Sequence, residues 1–258
     1  EIVRNLTSSG HIVFNIDLLK SKNLNSKNFN IDILDEKKVE NIFINNKIDC
    51  IIHNLAKVPL TKNKAIFRKV NINSTKIMIK FFKKFSVNKL IFISSSAVYG
   101  IPTSCPITED TERIPVEAYG ESKLVSENLC LEEINRGANI IIIRPRTIIG
   151  LNRFGIFSIL FDWIKNGLPI PVMSNGQNLY QFVDIRDLSE AINLASRSDY
   201  KGSLNIGSPD VKKIIDIIEF LKSEFDSKSR IKNLDNSLSL KFGFFLQKIG
   251  AIPLHDYH

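Results

Sequence analysis

The feature that most constrains this chain is a stretch with no polar face. Residues 140–143 are four consecutive isoleucines, bounded by Asn139 and Arg144. A β-strand sends successive side chains to opposite faces, so an unbroken apolar run needs cover on both sides. Cover on both faces is what helices give a parallel sheet, and the surrounding sequence supplies them. Strand-like and helix-like segments alternate: strands over 11–16, a short one ending at 31–33, Cys50–His53, 89–94 and 139–144, and helices over Glu36–Asn45, 65–85 and 118–136. That alternation predicts an α/β chain with a doubly wound parallel sheet.

After Gly150 the texture changes. An amphipathic helix over 154–166 contains Trp163, short pieces punctuated by Pro169, Pro171, Gly176 and Gly207 follow, and helices over 211–225 and 238–249 close the chain. The division expected is a nucleotide-binding domain over 1–150 and a small substrate lobe over 151–258. Residues 182–206, a strand and a helix, return to the main sheet. Residues 1–6 read as the tail of a helix, with Gly10 as its C-cap. A doubly wound sheet of this kind begins with strand, glycine loop and then that helix. None of the twelve glycines forms G-x-G-x-x-G or G-x-x-G-x-x-G. The expectation is a fold lacking its first strand and glycine loop, a fragment at both ends. The chain as it stands should then hold a dinucleotide poorly, because backbone N–H groups of that loop cradle the pyrophosphate.

At 258 residues, 43% of them hydrophobic, the chain can bury a sizeable core. The densest apolar stretches, 140–143 and 242–246, are too short to cross a bilayer and read as a buried strand and a packed helix. Cys50, Cys105 and Cys130 lie far apart, without metal-ligand spacing, which suits a reducing cytoplasm. The net charge is +8. Where lysines cluster, at Lys76, Lys80, Lys83 and Lys84, they share one helix face opposite Ile77, Met78, Phe81, Phe82 and Phe85. That is an amphipathic helix with a solvated side, and no nucleic-acid motif accompanies it.

The chemistry gathers at two places. One is Ser94-Ser95-Ser96-Ala97-Val98-Tyr99-Gly100, at the end of a strand. The other is Tyr119-Gly120-Glu121-Ser122-Lys123, at a helix start after Pro115. Tyr119 and Lys123 are four residues apart and share a helix face. A tyrosine ionises near pH ~10, and a neighbouring ammonium favours the phenolate. A base tuned toward operating pH can take a proton from a sugar hydroxyl. A serine beside it can hydrogen-bond the same oxygen as charge develops there. By itself Y-x-x-x-K is common, and the pair could be an aromatic and a lysine on a half-exposed helix. The serine motif at a strand end makes the catalytic reading the better one.

On these motifs the chain resembles the NAD-dependent epimerase/dehydratase family of extended short-chain dehydrogenases, from about residue 1 to 206. The resemblance implies Ser95, Tyr119 and Lys123 as catalytic residues and NAD as cofactor. Asp17, ending HIVFNID, matches the carboxylate that holds the adenosine ribose, with NAD favoured over NADP. Asp32 and Ile33 match the pair flanking the adenine. Leu55 and Ala56, in IIHNLA, match the strand end that passes the cofactor. Pro145 and Lys123 match residues beside the nicotinamide. Asn71, in VNINST, matches a helix position with a structural hydrogen bond, and His53 is given no catalytic role. Ser96, Arg146, Thr147, Arg153 and Tyr180 are the candidates for the substrate. No metal is implied.

Departures from the family pattern narrow the reading. Ser96-Ala97 stands where 4,6-dehydratases carry Asp-Glu, and alanine cannot protonate a leaving hydroxyl. Thr147 replaces an asparagine of the typical 4-epimerases, and an arginine near Tyr180 is missing, so Arg146 or Arg153 would hold the diphosphate. The function expected is epimerisation of a nucleoside-diphosphate sugar through a transient 4-keto intermediate, in a cytoplasmic homodimer. The alternatives are a reductase or dehydrogenase of a non-nucleotide alcohol or ketone, and a non-catalytic nucleotide-binding or regulatory protein.

Overall fold

The computed structural model describes residues 1–19, 25–57, 65–151 and 156–233. Two compact units make up the chain: Glu1–Arg146 with Ile185–Ile206, and Thr147–Asp184 with Gly207–His258. The expected helix over 238–249, the apolar stretch 242–246 and Arg153 lie outside the described residues.

The first unit opens with α1 (Ile2–Ser8). Gly10 adopts φ +86 and the His11 amide returns to the Leu6 carbonyl at 3.0 Å, the glycine C-cap expected there. Capping occupies the residues after the helix, so β1 (Phe14–Asp17) begins three residues later than the apolar pattern suggests. It pairs in parallel with β2 (Lys27–Asn30), which ends before 31–33. Ile33 is buried in the core, not laid along a strand.

Next come α2 (Glu36–Asn45), β3 (Cys50–His53), a short α3 (Ala65–Phe67), a π-helical turn (Arg68–Ile72) and α4 (Asn73–Lys84). The Asp35 side chain caps α2 by accepting from the Lys38 amide. Val39, Ile42 and Phe43, at helical spacing, form the buried face of α2. β4 (Lys89–Ile93), α5 (Ala118–Asn135) and β5 (Ile140–Pro145) follow, and both strands are buried along their whole length. Phe81, Leu90, Phe92, Ile140 and Ile142 anchor the core with Val39 and Phe43.

The second unit contains β6 (Thr147–Ile149), α6 (Ile156–Lys165), β7 (Ile170–Val172) and β8 (Leu179–Asp184). The chain re-enters the first unit through α7 (Ile185–Arg197) and β9 (Gly202–Ile206). It ends, among the described residues, with β10 (Val211–Lys213), α8 (Ile214–Glu224) and β11 (Ile231–Asn233).

The main sheet runs β3-β4-β5-β9, all parallel, with Ile91 opposite Ile141 and Ile143 opposite Leu204. The strand that returns to it is therefore β9. β8, expected there, instead pairs with β6 in parallel and β10 antiparallel in the second unit. Burial along the strand does not separate the two, since β9 has no fully buried residue and β8 only Val183; the choice is made by the long-range pairing with β5. The helix expected over 211–225 likewise starts at Ile214, because residues 211–213 are taken up by the β10 ladder. In the second unit Ile164, Ile170, Val172 and Ile218 form a separate small core.

Candidate active site

The carboxyl ends of β3 and β4 and the first turns of α5 converge in the first unit. β4 ends at Ile93, and Ser94 follows with its amide bonded to the Ile143 carbonyl at 2.7 Å. The chain then turns into a single 3-10 turn, Ser96–Tyr99, capped by Ser95, whose side chain accepts from the Ala97 amide at 3.2 Å. That bond uses a lone pair and leaves the Ser95 hydroxyl proton free to donate. Ser95 and Ser96 are half-buried.

α5 approaches this turn closely because its third residue is a glycine. A Cβ on Gly120 would lie 2.6 Å from the Ala97 carbonyl oxygen and 2.9 Å from Pro115 Cβ. No other residue permits that approach without displacing backbone. Tyr119 beside it is half-buried, its ring edge-on to Phe67 at 6.2 Å. One turn on, Lys123 is only 2% exposed. Its ammonium donates to the Ile93 carbonyl at 2.7 Å and lies 4.9 Å from the Phe92 ring centre. The structure thus brings Ser95, Tyr119 and Lys123 to one strand end. Burial pushes the Lys123 amine down to about 8, against the opposing pull of the Glu127 carboxylate.

A hydrogen-bonded chain fixes the start of α5 from behind. Asn71, in the π-helical turn and 2% exposed, accepts from the Lys57 amide at 2.8 Å and donates to Ser122 Oγ at 2.9 Å. Ser122 donates in turn to the Tyr119 carbonyl at 2.7 Å. π-helical turns recur at functional sites because they realign side chains within a helix. His53 is buried, its Nε2 within 3.1 Å of Thr75 Oγ1 and 3.3 Å of Ser74 Oγ. Burial first, then the Lys123 charge, pushes it down to about 3, so it stays neutral and satisfied in the core.

Of the residues expected at a cofactor, Asp17 ends β1 with an exposed carboxylate that accepts from the Leu19 amide at 2.8 Å. Asp32 is exposed and accepts from the Leu34 amide at 2.9 Å. Leu55 is half-buried against the core, Ala56 is half-buried, and Pro145 is buried as the last residue of β5. Arg146 is half-buried, its amide bonded to the Ile206 carbonyl at 2.9 Å. In the second unit Thr147 pairs with Phe182 across β6 and β8, and Tyr180 stacks on Phe182 at 6.2 Å and meets the edge of Phe157 at 5.4 Å.

Three further residues shape this centre: Ser94 and Gly120, which lie within the two motifs but received no role there, and Glu127, which lies outside both. Ser94 is 3% exposed, and its hydroxyl has no hydrogen-bond partner among the described residues. Gly120 is a spacer. Glu127 is a fully buried carboxylate four residues beyond Lys123. The last was within reach of sequence reasoning, since an acid at that spacing from Lys123 falls on the same inward face.

Comparison with known proteins shows the family and the fold. The model of the NAD dependent epimerase/dehydratase family matches residues 1–207. A Sinorhizobium fredii protein, uncharacterized protein y4nG, is 38% identical over 212 residues, which are 82% of this chain and 54% of that protein. The UDP-glucose 4-epimerase of Bacillus subtilis is 34% identical over 104 residues, 39% of this chain and 31% of the epimerase. The chain thus spans about half the length of the first of these relatives and less of the second. Among solved structures, UDP-glucose 4-epimerase of Thermotoga maritima with UDP-glucose superposes with a TM-score of 0.81. That likeness, at 22% identity over 92% of this chain and 82% of that one, is one of fold.

Proposed function

The chain belongs to the NAD dependent epimerase/dehydratase family, and from that premise we propose that it epimerises a nucleoside-diphosphate sugar through a transient 4-keto intermediate. The observation that carries this reading is the buried Lys123 ammonium, one helical turn from Tyr119, with the Ser95 turn held against the same helix by Gly120.

NAD fits the residues present. The buried Ser94 hydroxyl, without a partner among the described residues, sits at the carboxyl end of β4, where open parallel sheets bind ligands. A buried hydroxyl with no partner costs about 1–3 kcal/mol, which a bound polar group would offset. The exposed Asp17 carboxylate at the end of β1 suits ribose hydroxyls. Asp17, Asp32, Ile33, Leu55, Ala56, Lys123 and Pro145 would hold the dinucleotide, which supplies an acceptor and donor for two electrons at the sugar carbon. Lys123, unpaired with any carboxylate at contact distance among the described residues, lowers the cost of a Tyr119 phenolate. Tyr119 takes the proton from the sugar hydroxyl and returns it when the carbon is reduced on its other face. Ser95, its lone pair engaged by the Ala97 amide, donates a hydrogen bond to the same sugar oxygen and keeps its proton. Ser96, Arg146, Thr147, Arg153 and Tyr180 are the proposed contacts to the nucleotide sugar. Ala97 offers no acid for eliminating water, which favours epimerisation over dehydration.

The test is turnover of a panel of UDP-, dTDP- and GDP-sugars by the full-length natural protein. The expected result is interconversion of epimers with no net change in nicotinamide absorbance. Tyr119→Phe is expected to lose about 10²–10⁴-fold in kcat with NAD affinity kept. Full activity in Tyr119→Phe overturns the mechanism, and net nicotinamide reduction overturns the epimerase assignment.

A further inference from the structure

α5 turns an unusual face inward. Its buried positions are Gly120, Ser122, Lys123, Ser126, Glu127, Cys130 and Glu133, almost all polar or ionisable. Glu127 is the extreme case, with no exposure at all. An isolated carboxylate there would cost several kcal/mol, so it must be paired. Arg144, 2% exposed at the end of β5, donates from Nε to both carboxylate oxygens at 3.1 and 3.2 Å and from Nη2 at 2.9 Å. Arg113 adds a bond of 2.8 Å from the other side. The remaining Arg144 donors reach the Tyr99 hydroxyl at 2.7 Å, the Glu109 carbonyl at 3.1 Å and Ser203 Oγ at 3.2 Å. Tyr99 passes its own proton to Asn205 Oδ1 at 2.8 Å. Every N–H of the guanidinium has an acceptor, and its carbon lies 5.2 Å from the Tyr99 ring centre.

Tyr99 closes the 3-10 turn that Ser95 caps, and Glu127 stands one turn beyond Lys123. The network therefore ties the serine turn to the helix that carries Tyr119 and Lys123. Buried ion pairs are often no more stabilising than apolar residues of the same volume, whereas their fork geometry fixes orientation tightly. We propose that Glu127 and Arg144 are positioning residues that, through Tyr99, hold the Ser95 turn in register with Tyr119 and Lys123. This rests on the epimerase reading for its kinetic consequence but not for its structural one. Misplacing a catalytic group by about 1 Å can cost ~10²-fold in rate, so a fully satisfied clamp at this point bears directly on turnover.

The test compares Tyr99→Phe, which removes one hydroxyl, with the double replacement Glu127→Leu/Arg144→Met. Each is measured by steady-state kinetics, thermal melting and amide hydrogen exchange of residues 94–100. Tyr99→Phe should lower kcat about tenfold with KM within about twofold, and speed exchange in 94–100 while β4 and β5 keep their protection. The double variant should lose more kcat than Tyr99→Phe, with faster exchange again concentrated in 94–100. Unchanged kcat and unchanged exchange in a folded Tyr99→Phe overturn the proposal. Faster exchange throughout the sheet in that variant also overturns it, because the pair would then be supporting the fold at large. If the wild type turns over no sugar nucleotide, the epimerase reading fails, and exchange at 94–100 still decides the clamp.

Discussion

Two helices in the first unit carry lysines that differ in everything but name. On the outer face of α4, Lys80 and Lys84 are more than half exposed and ion-paired with Glu36 and Glu40 of α2. Lys83 reaches Glu133 at 3.1 Å. The Glu36 hydrogen bond holds the Lys80 amine above its ordinary value. On the inner face of α5, Lys123 is buried, bonded to a carbonyl, and pushed down to about 8. Solvation and partner decide a lysine's chemistry, and net charge says little about it. The basic cluster that stands out in the sequence is largely neutralised by neighbouring carboxylates. Two lysines are buried among the described residues, Lys89, whose ammonium donates to the Ala195 carbonyl at 3.1 Å, and Lys123, which burial pushes toward operating pH.

Lys123→Met breaks this comparison with the largest expected effect. Turnover should fall about 10²–10⁴-fold, since the phenolate loses its ammonium. Stability should move the other way. Below pH about 8 the amine is protonated in both folded and unfolded chains, and the folded one carries the full burial penalty. Between about 8 and its ordinary 10.5 the folded chain has released the proton while the unfolded chain holds it, so wild-type stability rises with pH across that window. The shift corresponds to at most about 3 kcal/mol, less about 1 kcal/mol for the lost bond to Ile93. Urea melts should find Lys123→Met at least as stable as wild type at neutral pH, with its advantage shrinking as the pH rises. A methionine variant that is clearly less stable at neutral pH would mean that the buried amine supports the fold.

Gly120→Ala sharpens the comparison without touching charge. The added methyl meets the Ala97 carbonyl, which belongs to the serine turn, and Pro115. The expected outcome is about 10²-fold in kcat, from displacement of Ser95 relative to Tyr119, with about 1–3 kcal/mol of destabilisation from overpacking. NAD affinity measured by calorimetry should change far less than kcat. Wild-type kcat in this variant would show that the close approach is not needed for turnover.

Much of this was legible in the sequence, and the misses share a cause. The four isoleucines at 140–143 required cover on both faces, and β5 has it. α2 and β3 fall where the apolar pattern placed them, because local signals there agree with tertiary packing. Tyr119 and Lys123 stand out in the sequence because they lie one helical turn apart, and Ser95 is picked out of the serine run by the family resemblance. Pairing was not readable: β8 and β9 are both short and mixed in character, and which one joins β5 depends on a partner far along the chain. The inward face of α5 was hidden for a different reason. Its buried positions include Ser122, Lys123, Ser126, Glu127 and Glu133, so no apolar stripe marks them. A buried polar face can be recognised only once Arg144, Arg113 and Asn71 are seen to satisfy it.

The smallest effect expected is on the other side of the comparison. Lys80→Ala and Lys84→Ala remove ion pairs between α4 and α2 whose lysines are more than half exposed. Pairs of that kind are screened by solvent and salt and contribute little, because ordering two long side chains offsets most of the attraction. Turnover, NAD affinity and melting temperature should all stay at wild-type values, singly and in the double variant, at low and at high salt. A loss of turnover in Lys80→Ala approaching that of Lys123→Met would mean that the outer face of α4 acts on the catalytic centre. In that case burial would no longer separate Lys123 from the lysines on the outer face of α4.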